Sequence, residues 1–202
     1  ILTSMDKIML RTMCTYSELG LYTAAFKIVS VLSIVQTCFT VFWTPVAYRW
    51  YEEDVSKTRF EIINRLVSFI MTEMCLSLLL LKNLVAWILG QDFVNAIYIF
   101  PFILLYPIMY TISEATCVGI VFERKTYFNI LISGVAGMVN IGLNYMLIPV
   151  LYGKGAAIAT GISYMVFFWM RTIISRKLWW KFPIGRYLIY CTVILFNCYV
   201  HT

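Results

Sequence analysis

Residues 21–35 read LYTAAFKIVSVLSIV, and the apolar run continues to about residue 47. Such a stretch is built for hydrocarbon, yet Lys27 stands seven residues into it. A lone ammonium at bilayer depth costs at least ~2.5–3.5 kcal/mol on insertion scales. A charge there is retained only where a partner, a water-filled cavity or an anionic ligand meets it. The stretch therefore sets the fold class and poses the functional question together.

Composition agrees with a membrane chain. Hydrophobic residues make up 61% of the 202, charged residues 13%, and mean hydropathy is +0.82. Soluble domains sit near about 45–50% apolar and about 25% charged, so a soluble fold is excluded. The net charge of +6 does not point to nucleic acid, because the bases fall between apolar segments, as membrane topology requires. Six cysteines are scattered singly, with no C-x-x-C, and His201 is the single histidine. No metal site, cofactor or disulfide framework is expected, and the cysteines read as small buried hydrophobes. The chain begins at Ile1 and ends within YLIYCTVILFNCYVHT, with no signal-peptide pattern. We expect a fragment of a longer polytopic protein.

A hydrocarbon core of ~30 Å needs about 20 helical residues. The sequence predicts an all-α polytopic bundle with complete spans over 21–47, 61–81, 94–121, 127–149 and 155–175. Truncated spans over 1–15 and 187–202 bring the total to about seven. TYSELG, LYGKG and ERKT read as turns, and residues 82–93 as a link along the interface. Arg49, Lys57, Arg59, Arg65, Arg124, Lys125, Arg171, Arg176, Lys177, Lys181 and Arg186 fall on one side of this plan. Only Lys82 and Lys154 fall on the other. That asymmetry marks the first side as cytoplasmic. Trp43, Tyr48, Trp50, Tyr51, Trp179 and Trp180 read as interfacial aromatics at its boundary.

Lys7, Arg11 and Lys27 remain as bases within spans, against the acids Asp6, Glu73 and Glu114. At 1.5 Å per residue, Lys27 lies ~10 Å below the outer turn and Asp6 at a similar depth or deeper, so the two are placed to meet. Ionisable groups inside a membrane face a bundle interior or an aqueous cavity. They either neutralise one another or handle a charged or proton-coupled cargo. Asn140 and Asn144 share a helix face and serve either as interhelical glue or as a cavity lining. Gly134, Gly142, and the pairs Gly155/Ala159 and Ala157/Gly161 allow close helix approach. Pro101 and Pro107 should kink the fourth span, as in transporters with broken helices. GKGAAIAT lacks the lysine-hydroxyl order and the preceding strand of a phosphate-binding loop.

The stretches DKIML, SELGLYTAAFKIVSVLSIV and FWTPVAYR resemble the opening of the second half of polysaccharide flippases. The resemblance rests on Asp6, Leu19, Gly20, Tyr22, Ala24, Ala25 and Lys27. NIGLNYMLIPVLYGKGAAIATGISYMVFF resembles a later family pattern through Asn140, Asn144, Pro149, Gly153, Gly155, Ala156, Ala157 and Thr160. The likeness spans about residues 3–177. It implies the multidrug/oligosaccharidyl-lipid/polysaccharide exporter superfamily, whose members have two helical halves of typically 12 to 14 spans around an alternating-access cavity. This chain would be much of the second half. The implied activity is flipping of undecaprenyl-diphosphate-linked oligosaccharide across the bacterial cytoplasmic (inner) membrane, in polysaccharide biosynthesis for the cell envelope. The alternative is an ion-coupled multidrug exporter of the same superfamily or, further off, a non-transport structural membrane protein. Lys27 and Arg11 would face the diphosphate, with Asp6, Asn140 and Asn144 in the same cavity. Glu73 and Glu114 are the ion-coupling candidates, and Pro101 and Pro107 the hinge. The implied partners are the lipid-linked substrate, the bilayer and other polysaccharide assembly proteins. No enzyme is expected, because the outer connections run from about five to a dozen residues and carry no histidine for acid–base work.

Overall fold

A computed structural model describes residues 2–89 and 91–200. Ile1, His201 and Thr202, the ends of the two terminal spans, lie outside them, as does Gly90. All the regular structure described is helical: α1 (Leu2–Met13), α2 (Tyr16–Glu52), α3 (Lys57–Leu80), α4 (Lys82–Leu89), a 3₁₀ helix (Gln91–Tyr98), α5 (Phe100–Thr116), α6 (Val118–Phe122), α7 (Tyr127–Leu178) and α8 (Gly185–Val200). Three of these, α2, α3 and α7, are long and apolar enough to cross a membrane.

The breaks follow local chemistry. The α1–α2 break is only Cys14 and Thr15, so TYSELG is not the expected turn: its Thr15 is the N-cap residue of α2 and its other five residues are helical. Ser56 caps α3 by accepting from the Thr58 N–H at 3.4 Å. The expected continuous span over 94–121 is instead divided among the 3₁₀ helix, α5 and α6. Pro101 sits at the first turn of α5, where its missing N–H costs nothing, so it starts a helix rather than kinking one. Pro107 lies inside α5.

α7 contains 52 residues and would be ~78 Å long if straight. It reverses at Tyr152, which holds φ 51° and ψ −127°. A Cβ on Gly155 would lie 2.5 Å from the Leu147 carbonyl oxygen, although eight residues of straight helix span ~12 Å. The two arms, 127–151 and 153–178, thus form a hairpin, as the LYGKG turn predicts. The first arm buries a single seam of Ile132, Ala136, Asn140, Asn144 and Ile148, every fourth residue. Most of its other faces carry exposed apolar side chains.

The second arm packs along α5 in parallel register. Gly161 lies against Leu105, Tyr164 against Tyr106 (4.7 Å between centroids), Phe167 against Tyr110 (5.7 Å) and Thr172 against Thr116 (2.8 Å). Phe26 on Tyr106 and Tyr51 on Phe122 give α2 the same direction. Gly161 and Gly155 do allow close approach, but Gly134 and Gly142 face open space and pack against nothing. Trp43, one of the expected interfacial aromatics, is buried among Phe39, Trp50 and Phe60. With Phe122 and Trp179 these rings tie together the ends of α2, α6 and α7.

Candidate functional site

Asp6 is fully buried and does not meet Lys27. Its Oδ2 accepts from the Tyr22 hydroxyl at 2.9 Å and from the Thr160 hydroxyl. Its Oδ1 accepts from Asn140 Nδ2 at 3.0 Å and Asn144 Nδ2 at 2.7 Å. An ionised carboxylate offers about four lone-pair sites, and here four donors occupy them. Tyr22, Asn140, Asn144 and Thr160 are themselves fully buried. The node joins α1, α2 and both arms of α7, which is possible because the hairpin returns Thr160 to the depth of Asn144. Asn144 Nδ2 also donates to Asn140 Oδ1 at 3.2 Å, while Asn144 Oδ1 is buried with no hydrogen-bond partner among the described residues.

Lys27 is exposed and has neither an ion pair nor a hydrogen bond to its ammonium among the described residues. It belongs to a stripe on α2 at steps of three, four and seven: Thr23, Lys27, Ser30, Thr37 and Thr44. The last three donate to carbonyls of their own helix, which lowers the cost of a hydroxyl in an apolar setting and leaves oxygen lone pairs outward. Arg11 is exposed in the last turn of α1, where a cation is favoured by the helix dipole. Lys7 is half-buried, with Nζ 4.7 Å from the Phe26 ring centroid.

The remaining acids part company. Glu73 is exposed on α3. Glu114 is paired with Arg171 at 2.6 Å, and the side chains are only 13% and 8% exposed. Arg171 also donates to Ser113 Oγ at 2.9 Å and lies over Phe167, 5.0 Å from the ring centroid. Counting Arg171 among the cytoplasmic connection bases is thereby corrected: it is a buried helix residue. Of the two alternatives for these charges, mutual neutralisation of the three acids by Lys7, Arg11 and Lys27 does not occur: Asp6 is held by hydrogen bonds and Glu114 by Arg171. Tyr22 and Thr160, which complete the Asp6 node, stood in the sequence motifs without being assigned a role.

Comparison with family models, curated proteins and solved structures finds no match to this chain.

Proposed function

We propose that this chain is one bundle of a membrane transporter that flips a lipid-diphosphate-linked oligosaccharide across the bacterial cytoplasmic membrane. In this reading the two arms of α7, with α1–α3, α5–α6 and α8, make about seven crossings. The observation that carries the proposal is the unpartnered Lys27 on the polar stripe of an otherwise apolar α2. With Asp6 satisfied by four other donors, the lysine has no internal reason to exist at that depth, and an aqueous path with an anionic cargo supplies one. Arg11 is a second exposed cation for the same phosphates.

The alternative, ion coupling, is favoured by a separate observation. Asn144 Oδ1 is a buried oxygen without a donor on a residue that touches Asp6, and a proton or a hard monovalent cation bound at Asp6 would displace one of the four donors now on its carboxylate. Among the acids, Asp6 is then the coupling residue, in preference to the exposed Glu73 and the paired Glu114. The two readings combine in a cation-driven flippase.

Glycan export in cells lacking the native transporter tests the cargo site. Lys27→Ala should express and assemble but export little, and Lys27→Arg should keep partial function, since either cation meets a phosphate. Adding Asp6→Asn to Lys27→Ala should not restore export, because the two residues are not a pair. Full export by a well-expressed Lys27→Ala would remove the phosphate role. Transport in Asp6→Asn vesicles should lose its dependence on a sodium or proton gradient; unchanged dependence would remove Asp6 from coupling.

A further inference from the structure

We infer that the cleft beside the Glu114–Arg171 pair is a binding site for a neutral sugar ring. The cleft, about 270 Å³, lies between α2, the α5–α6 segment and the second arm of α7. Trp43, Thr44, Tyr48 and Phe122 contribute to its walls, and Glu114 and Arg171 supply its charged groups. Sites for drug-sized ligands run about 300–1,000 Å³, so this one suits a single small ring.

The charge balance selects the class of ligand. Arg171 alone would draw an anion, and Glu114 alone a cation. At 2.6 Å their fields largely cancel at a distance, while both remain strong directional hydrogen-bonding groups close by. A neutral molecule with several hydroxyls exploits that arrangement, whereas a phosphate would meet the Glu114 carboxylate.

The aromatic walls complete the match. A pyranose has an apolar C–H face and a polar rim, and an aromatic side chain with a polar tip, such as the exposed Tyr48, presents the same two characters. Thr44 also stands on the Lys27 stripe, and Tyr48 continues it by one further turn. Along α2, Thr44 is ~26 Å from Lys27, so the two sites would hold different parts of an extended oligosaccharide. The inference takes its glycan from the transport reading, but the cleft's chemistry is argued apart from Lys27.

The test uses the full chain in lipid nanodiscs and saturation-transfer NMR with the methyl glycosides of glucose, galactose and N-acetylglucosamine. Inorganic phosphate serves as the anionic competitor. At least one glycoside should receive saturation, phosphate should not displace it, and Lys27→Ala should bind it as wild type does. Tyr48→Ala, at an exposed position, should weaken binding by up to about tenfold, the scale of one aromatic contact. The charge-free pair Glu114→Gln/Arg171→Met should abolish it. No transfer to any of the three, displacement by phosphate, or unchanged binding in both variants would overturn the site. Normal glycan export by Lys27→Ala, with sugar binding still weakened in Tyr48→Ala, would sink the Lys27 assignment and leave the cleft standing.

Discussion

Asp6 illustrates how a carboxyl group is held in an apolar bundle by four hydrogen bonds. Its four donors come from α2 and the two arms of α7, so each bond also fixes the position of one of these segments against α1. Interhelical hydrogen bonds in membranes average about 0.6 kcal/mol and reach about 1.7. Tyr22→Phe and Thr160→Val should each lower stability within that range, measured by unfolding in mixed detergent. In a cycle with Asp6→Asn, the costs should fall short of additive, because all three changes act on one network. Fully additive values would mean that the node does not act as a unit. The Glu114–Arg171 pair predicts a different pattern. Arg171→Met alone strands a buried carboxylate and should cost about 3–5 kcal/mol. Adding Glu114→Gln should recover most of that loss, since neither partner is then charged. A double variant no more stable than Arg171→Met would show that the pair is not the source of the cost.

Glycines separate the helix faces that pack from those that do not. At Gly161 a Cβ would lie 2.7 Å from Leu105 Cδ1 and 3.0 Å from the Phe102 carbonyl oxygen, so Gly161→Val must push α5 from α7. At Gly134 and Gly142 no atom lies within 4 Å. There, replacement by alanine should be neutral or stabilising by up to about 1 kcal/mol, since alanine is the better helix former. Thermal unfolding of the three variants checks this contrast, and a marked loss in Gly142→Ala would expose a partner surface on the first arm. The hairpin tip has its own strain. Tyr152 adopts a positive φ that costs a non-glycine residue about 1–3 kcal/mol. The neighbouring Gly153 N–H donates to Glu18 Oε2 at 3.2 Å, tying the tip to the start of α2.

Across the whole molecule, the connections sort into two ends. Glu18 and Gly153 bring the α1–α2 break and the α7 tip together. At the opposite end, Tyr51, Phe60, Phe122 and Trp179 gather the connections after α2, α6 and α7. The second group carries the basic connections with Lys57, Arg124, Lys125, Lys177 and Lys181, whereas the tip carries Lys154. The positive-inside bias therefore predicts that the aromatic end faces the cytoplasm. With the six native cysteines replaced, Lys57→Cys and Lys177→Cys should resist an impermeant maleimide in intact cells, and Lys154→Cys should react. Strong outside labelling at position 57 would reverse the orientation.

The sequence by itself determined the helical class, the membrane character and most of the breaks. These depend on local quantities: apolar run length, turn residues and charge placed between runs. The predicted interruption between 149 and 155 falls on the reversal at Tyr152, and the span over 61–81 lies almost wholly within α3. The division of 94–121 was hidden, because the apolar signal continues across it. What the sequence left open was partnership. Asp6 and Lys27 lie one turn apart in a hairpin, which made them the natural pair, yet the carboxylate's acceptors are filled by residues up to 154 positions away. Arg171 lies close enough to the end of its apolar run to read as a connection base, and only the parallel register of α5 and α7 carries it to Glu114. Only the tertiary structure decided these matches, because a buried polar group takes whichever partner packing brings to its depth and angle, and sequence spacing fixes that only within one helix.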